Sequence, residues 1–335
     1  MKTLLIVGAL LAAAGNQERK PLVACTLPVL ECLVREVAGE DVDVFSLCKA
    51  DQDPHYVRAT PLLQRKLREA DLFIEVGLQL EIWADLVAND SGRPKLMKGG
   101  AGRIVASKGI PAEQIPGTLS RSEGHIHAEG NPHLWLDPLR AVKMAKNIAE
   151  AIGAAVPSKK EPILSRFKAF EARVREALYG KELIALAGAE ELDRRLSDGT
   201  LHAWLAKEEL EGAPLTARLG GWLKKAERLR GKKAVEYHRS WHYTAKVLGF
   251  EIVDTVEEKP GIPPGPRHQV ELTRKLKEGG ISFMLVDAYY DPALPNTLAR
   301  DTGVPAVILP NQPAAGTYAE FFDGIVTKLA GALKR

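Results

Sequence analysis

The fold class of this chain is most evident in residues 21–47, PLVACTLPVLECLVREVAGEDVDVFSL. The apolar run at 21–27 predicts a β-strand, and the apolar spacing of residues 30–38 predicts a helix that ends at Gly39. A second apolar run at 42–47 predicts another strand. Strands that alternate with helices in this way favour a parallel sheet with helices on its faces.

The same alternation continues along the first part of the chain and returns in the second half. Further strands are predicted at 72–76, 233–237, 250–256, 281–286 and 306–309. Further helices are predicted at 61–70, 81–88, 238–248, 270–277, 292–300 and 318–333. Two such series predict two α/β lobes, and ligands of such lobes bind at the carboxyl ends of the strands.

The segment between the two series is helical. Its pattern runs from residue 137 to about 180 with a break around Pro157, and residues 166–178 form a charged stretch free of glycine and proline. We expect this helix to link the lobes. Residues 181–230 are mostly helical and polar, and the pattern assigns them no place in the fold.

A length of 335 residues exceeds what one hydrophobic core usually supports. The predicted fold class is therefore α/β, with two Rossmann-like lobes of parallel sheet. The expected organisation is a signal peptide at 1–19, an N-terminal lobe at 20–138, a linking helical region at 139–180 and a C-terminal lobe at 181–335.

The first residues indicate export. Met1-Lys2 precedes an apolar run at 3–15 and a polar stretch at 16–20, which is typical of a signal peptide and too short to span a bilayer. A buried first strand or helix is the alternative. A net charge of +3 gives no electrostatic case for nucleic acid. The three cysteines (Cys25, Cys32 and Cys48) leave at least one thiol unpaired, and the sequence does not fix any disulfide.

Three of the eight histidines lie where a strand or loop meets the mouth of a lobe. His55 and His133 each follow a proline that stiffens the backbone, and His238 follows a predicted strand and opens a predicted helix. Neutral imidazole is a common zinc ligand, and a closed zinc site takes four ligands. Asp287 ends a predicted strand of the second lobe and is the leading fourth candidate. A single histidine at a strand end is more often a hydrogen-bonded structural residue.

Three further histidines flank these positions. His125 and His127 lie in a stretch, 120–130, that predicts a loop, where they either contact a metal transiently or have no role. His242 follows His238 by one helical turn and is expected to support the site from behind the ligands.

Five segments carry a family resemblance: DPHY at 53–56, GNPHLWLDP at 130–138, EYHRSWHY at 236–243, EEKPGIPP at 257–264 and DTGVP at 301–305. Together they resemble the zinc/manganese (cluster A-I) family of ABC-transporter substrate-binding proteins, over about residues 20–335. The resemblance implies two lobes joined by one long rigid helix, with the metal buried in the cleft between them. It also implies a histidine-bearing loop near the second ligand, which His125 and His127 would supply.

The resemblance assigns the first two metal ligands to His55 and His133. It assigns the third to His238, at a position that holds His or Glu across the family. Many relatives carry an Asp after the last strand, whereas this chain has LPNQP at 309–313 and no carboxylate there. Asp287 is then expected to substitute, with Asn311, Glu81 or a water molecule as the alternatives.

These observations predict a binding protein and not an enzyme. We expect it to capture Zn²⁺, with Mn²⁺ as second choice, and to deliver the ion to an ABC permease, as a monomer in the periplasm or another extracytoplasmic location. Three imidazoles favour zinc because manganese prefers oxygen ligands. A membrane-tethered form stays open.

Two alternatives remain at this point. One is a zinc hydrolase with an open coordination position and Glu257 or Asp287 as its base, and the other is a surface adhesin. The sequence contains no His-Glu-x-x-His helix, nucleophile elbow or phosphate loop, so it does not favour the hydrolase.

Overall fold

The computed structural model describes residues 19–117, 127–210 and 212–333. Its N-terminal lobe is built on a parallel sheet with strand order β2-β1-β3-β4. The elements of this lobe are β1 (Leu22–Cys25), α1 (Pro28–Ala38), β2 (Asp43–Ser46), α2 (Pro61–Glu69), β3 (Leu72–Glu75), α3 (Ile82–Asp90) and β4 (Arg103–Val105). The sequence did not predict β4 because its three residues are partly or fully exposed and form no apolar run.

The middle of the chain forms two helices, α4 (Pro138–Ala155) and α5 (Lys160–Tyr179). The predicted break is present as a 3-10 turn at Pro157–Lys159. Asp137 caps α4 by accepting the backbone N–H groups of Leu139 and Arg140. Beyond this break, α5 is the long linking helix, and it contacts α1 of the first lobe and α13 (Tyr318–Ala332) of the second.

Residues 181–230, which the sequence left unplaced, form a small helical segment. It contains α6 (Lys181–Ala187), α7 (Ala189–Ser197), α8 (Leu201–Lys207), a hairpin of β5 (Glu209–Leu210) and β6 (Ala213–Pro214), and α9 (Gly221–Lys225). The segment joins α5 through Asp193, which accepts hydrogen bonds from Arg175 at 2.8 Å and from the hydroxyl of Tyr179 at 3.0 Å.

The C-terminal lobe repeats the architecture of the first, with parallel strand order β10-β9-β7-β8. Its elements are β7 (Lys233–Glu236), α10 (His242–Leu248), β8 (Glu251–Thr255), α11 (Pro266–Glu278), β9 (Ile281–Asp287), α12 (Ala293–Thr302), β10 (Ala306–Leu309) and α13 (Tyr318–Ala332). The prediction that a helix opens at His238 is wrong, because α10 begins four residues later. His238 therefore lies in the β7–α10 loop.

The core is continuous between the lobes. Phe167, Phe170 and Val174 of α5 are buried in the same cluster as α1 of the first lobe and α13 of the second. At the first lobe, the Arg166 guanidinium donates to the carbonyl of Val37 at 3.0 Å and pairs with Asp41. Packing on both sides of one helix joins the lobes through a shared core.

The strand orders explain where the site lies. In each parallel sheet the order in which successive strands are added reverses between two central strands. These are β1 and β3 in one lobe and β7 and β9 in the other. Ligands of open α/β sheets bind outside the carboxyl ends of the strands at such a reversal. The loops after β2, β7 and β9 are placed at this edge.

Several expectations concern parts outside the sheets. The predicted signal peptide at 1–19 lies outside the described residues apart from Arg19. All three cysteines lie in described parts of the chain, and each is a buried free thiol. No helix in 19–117, 127–210 or 212–333 combines the length and apolar character needed to cross a membrane. The lobe boundaries at 138 and 180 stay predictions.

Candidate metal centre

The structure brings His55, His133 and His238 together. Each offers a ring nitrogen, and within the described residues these three atoms all lie within 4.8 Å of one another. Their ring centroids are 5.0 to 6.0 Å apart, and all three side chains are buried. A cavity of about 50 Å³ borders two of them, His133 and His238.

His55 and His133 are held by the same local device. His55 donates its backbone N–H to Asp53 Oδ1 at 2.9 Å, and its Nδ1 lies 2.7 Å from the same oxygen. His133 repeats both contacts with Asn131 Oδ1, at 3.0 and 2.9 Å. An Asx side chain two residues before each histidine therefore fixes both the turn and the ring.

Proline was the only stiffening residue predicted at these positions. The contribution of Asp53 and Asn131 was not predicted. The signal was present in the sequence, since both histidines end an Asx-Pro-His motif. Short polar side chains commonly accept the N–H group two residues on, which is the geometry seen here.

His238 is held by a residue distant in sequence. Its Nδ1 lies 2.8 Å from Glu257 Oε2, and both side chains are buried. Glu257 also accepts the backbone N–H of Gly261 at 2.8 Å. Because β7 and β8 are neighbours, their carboxyl ends bring these residues to one edge.

All three Nδ1 atoms lie within hydrogen-bond distance of a side-chain oxygen: that of Asp53, Asn131 or Glu257. His133 Nε2 is buried and makes no hydrogen bond within the part of the chain that the structure describes. Metal-ligating histidines almost always have their other ring nitrogen bonded to a carboxylate or carbonyl oxygen, so the arrangement fits a metal. Two imidazole nitrogens bound to one zinc ion lie about 3.3 Å apart. Small side-chain movements would bring the three grouped nitrogens, now within 4.8 Å of one another, to that distance.

Charge differs among the histidines. Burial lowers the pKa of His133 well below its ordinary value, and the neighbouring imidazoles lower it further, so this ring is neutral. Burial also acts to lower the pKa of His238, but the hydrogen bond and charge of Glu257 outweigh it and raise the pKa. Glu257 thus favours positive charge at the position where a cation would sit.

Asp287 ends β9 beside this cluster but is not part of the three-atom group. Its Oδ1 accepts a hydrogen bond from Asn311 Nδ2 at 2.7 Å, and its Oδ2 accepts one from Ser240 at 3.2 Å. Burial raises the pKa of Asp287 to about 6. Its role as fourth ligand stays a prediction, and Asn311 is seen as the partner of its carboxylate.

The other candidates lie around the site. Glu81 accepts hydrogen bonds from Thr26 at 2.7 Å and from the backbone of Val76 at 2.8 Å, at the strand ends of the N-terminal lobe. Its side chain is therefore used inside that lobe, away from the grouped histidine nitrogens. The imidazole of His242 lies 3.0 Å from a Glu113 carboxylate oxygen, which ties the lobes together. Its expected role behind His238 stays a prediction.

Of the two loop histidines, only His127 lies within the described residues. His127 lies with its ring centroid 5.3 Å from that of His55, in the wall of the cavity that His133 and His238 border. His125 lies outside the described residues. The expected contact of this loop with the metal rests on His127.

Comparison with known proteins matches both lobes of the chain but not the small helical segment between α5 and α9. The family model for zinc-uptake complex component A, periplasmic, matches residues 23–179 and 216–332. The unmatched interval, 180–215, contains α6 to α8 and the β5–β6 hairpin. This interval is also where sequence reasoning placed nothing.

Individual relatives are distant. The chain is 25% identical over 305 residues to the zinc-binding lipoprotein AdcA of Streptococcus pneumoniae, covering 89% of this chain and 52% of AdcA. It therefore spans about half the length of that relative. Solved structures share the fold: a zinc-bound ZnuA lacking residues 138–173 superposes with a TM-score of 0.68 at 18% identity, covering 94% of this chain and 98% of the other. FpvC of Pseudomonas aeruginosa with Mn²⁺ gives 0.69 at 18% identity, with 94% and 99% covered.

Proposed function

Because this chain belongs to the zinc-uptake complex component A family, we propose that it captures a divalent transition-metal ion outside the cytoplasmic membrane. It then passes the ion to a cognate ABC permease. The single observation that supports this best is the buried group of three histidine nitrogens, each with its opposite ring nitrogen bonded to an oxygen.

Zinc is the proposed cargo, with manganese as second choice. Imidazole nitrogens suit zinc, whereas manganese favours carboxylate, carbonyl and water oxygens. A site with three nitrogen donors therefore selects zinc when both ions are present. The name of AdcA as a zinc-binding protein agrees with this choice, while the FpvC structure shows that the same fold also accommodates Mn²⁺.

The fourth position is proposed for Asp287. Each oxygen of its carboxylate accepts one hydrogen bond and keeps a further lone pair, so it can also bind a cation. An acid at this position would also offset the positive charge of the ion in a buried site.

The ligands come from different parts of the fold, and this connects capture to delivery. His55 follows β2 of the first lobe, His238 follows β7 of the second, and His133 precedes α4 between them. An ion bound by all three bridges the lobes and stabilises one relative arrangement. A permease can distinguish loaded from empty protein through this difference in arrangement.

Family membership makes the protein a binding protein and not an enzyme. Of the two candidate bases of a hydrolase, Glu257 is bonded to His238 and Gly261. Asp287 is the residue proposed here as the fourth ligand. Nothing in the described residues favours the adhesin alternative.

The location proposed is the periplasm or another compartment outside the cytoplasmic membrane. The basic start and apolar run of residues 1–19 support export. Soluble and membrane-tethered forms both satisfy the proposal. A monomer is sufficient for it, because one chain supplies all three histidines.

Zinc affinity measured by competition with a chromophoric chelator tests the proposal. We expect one tight site per chain, and we expect His133→Ala to abolish tight binding while the metal-free fold persists. His202→Ala, in the helical segment at 181–230, is the matched control and should bind like the wild type. Equal affinity of all three proteins would refute the site, and absence of binding by the wild type would refute the function.

A further inference from the structure

Asn131 is a buried residue at the junction of the two lobes, and every polar atom of it is bonded. Its backbone N–H donates to the carbonyl of Glu113 at 2.8 Å, and its Oδ1 holds His133. Its Nδ2 donates to Gln114 Oε1 at 2.8 Å and to the carbonyl of Arg239 at 2.9 Å. Arg239 directly follows His238, so one side chain contacts one proposed ligand and the backbone next to another.

Tyr243 completes this connection from the second lobe. Its hydroxyl donates to the carbonyl of Asn131 at 2.8 Å and accepts the backbone N–H of Glu113 at 2.9 Å. The ring is fully buried, and the Arg140 guanidinium stacks over it at 4.5 Å. The Arg140 guanidinium over the ring and two hydrogen bonds fix the position of this hydroxyl.

A charged cluster closes over the same junction. The carboxylate of Glu113 pairs with Arg140, with His242 at 3.0 Å and with Lys246 at 2.8 Å. His242 and Lys246 belong to α10, as Tyr243 does. The segment before His133 is thus attached to the segment after His238 by side chain, backbone and ion pair.

We propose that Asn131 and Tyr243 form an interlobe pin that sets the position of His133 relative to His238 before the metal arrives. This inference rests on the proposed function, because it gives these residues a role in metal affinity. They are positioning residues, since neither supplies a ligand atom to the histidine group. A small displacement between ligands from different lobes lowers affinity, because the site must then reorganise when it binds.

Tyr243→Phe isolates the pin. It removes one hydroxyl and two hydrogen bonds, and it leaves Asn131 in place on His133. Tyr318→Phe is the matched control: that ring is also fully buried, and its hydroxyl donates at 2.8 Å to the carbonyl of Trp135. Both variants lose a buried tyrosine hydroxyl, but only one loses contact with Asn131.

The experiment measures zinc affinity by chelator competition and the visible spectrum of the Co²⁺-loaded protein, which reports ligand geometry. We expect Tyr243→Phe to weaken zinc binding about tenfold and to change the Co²⁺ absorption, as outer-shell substitutions commonly do. Tyr318→Phe should stay within about twofold of the wild type with an unchanged spectrum. Chemical unfolding of both metal-free variants measures the general cost of losing a hydroxyl.

The outcomes separate the two ideas. If the wild type binds no zinc, the proposed function fails and the pin fails with it. If the wild type binds zinc and Tyr243→Phe matches it in affinity and spectrum, only the pin is refuted. Equal loss in both variants would also refute the pin, because general weakening would then explain the effect. Should Tyr243→Phe not fold, Asn131→Ser takes its place beside the same Tyr318→Phe control. Asn131→Ser should weaken zinc binding and change the Co²⁺ spectrum, and an affinity and spectrum equal to those of the wild type would refute the pin.

Discussion

Replacing Glu257 with glutamine tests how much the residue behind a histidine contributes to metal affinity. Glu257 is 5% exposed, and its Oε2 accepts from both His238 Nδ1 and the backbone of Gly261 at 2.8 Å. Glutamine has the same shape and keeps one carbonyl oxygen for these donors. The substitution therefore removes the negative charge and leaves the contacts largely in place.

The size of the effect follows from that difference. Losing the outer partner of a metal-ligating histidine lowers affinity about 10–100-fold. That range equals about 1.4–2.7 kcal/mol at 25 °C. Because glutamine still accepts the hydrogen bond, we expect the lower end, about tenfold. The free energy of unfolding of the metal-free protein should change by less than about 1 kcal/mol, since no buried donor is left without an acceptor.

Chelator competition at neutral pH measures the zinc affinity of the wild type, Glu257→Gln and Glu258→Gln. Glu258 is the next residue and is exposed, so its substitution removes the same charge without touching His238. Only Glu257→Gln should bind more weakly. If both variants lose affinity equally, long-range charge explains the effect, and if neither does, the reasoning about the outer partner is refuted.

Three further predictions concern other carboxylates, two beside the histidines and one at the linking helix. Asp287→Asn should weaken zinc binding by about tenfold in the same competition, and an unchanged affinity would remove it from the fourth position. Asp53→Ala should lower zinc affinity by a similar factor, with Asp53→Asn restoring most of it; equal behaviour of the two would contradict the Asx-Pro-His argument. Burial acts to raise the pKa of Asp41, but Arg166 and Lys159 outweigh it and hold the pKa below its ordinary value. Its ion pairs therefore stabilise the fold at neutral pH and are lost as the pH falls through the lowered pKa. Asp41→Asn should cost about 1 kcal/mol in urea unfolding near neutrality and less in acid, and a cost that does not change with pH would be inconsistent with this.

The sequence predicted the sheets well because most of their strands carry apolar runs, and the central strands β1, β3, β7 and β9 are largely buried. Seven of the eight sheet strands, including β9 at 281–287, carry apolar runs between turn residues. The eighth, β4, is a short edge strand that lacks this signal. The start of α10 was placed four residues too early because residues 238–241 contain no glycine or proline, whereas His238 in fact lies in a loop and is bonded to Glu257.

The site was predicted in part. The three histidines stand beside proline or a strand end, so local patterns and the family resemblance identify them. Their partners follow a different rule. Glu257 is 19 residues from His238 and Tyr243 is 112 residues from Asn131, so only the packing of strands and lobes brings them together. Such contacts leave no periodic pattern in a single sequence.

Residues 181–207 are a helical segment whose position in the fold could not be predicted from the sequence. Their helices are short, and their ends are set by glycines such as Gly188 and Gly199. Local pattern predicts helix here but not a position, since the segment packs through a few residues such as Asp193 against α5.

X-ray absorption at the zinc edge of the zinc-loaded protein is the most direct test of whether the three histidines bind the ion. It counts the imidazole ligands of the bound ion without any substitution. We expect one zinc ion per chain with at least three histidine nitrogens at about 2.0–2.1 Å. Zinc bound only through oxygen ligands, or washed away before the measurement, would contradict a capture site built from His55, His133 and His238.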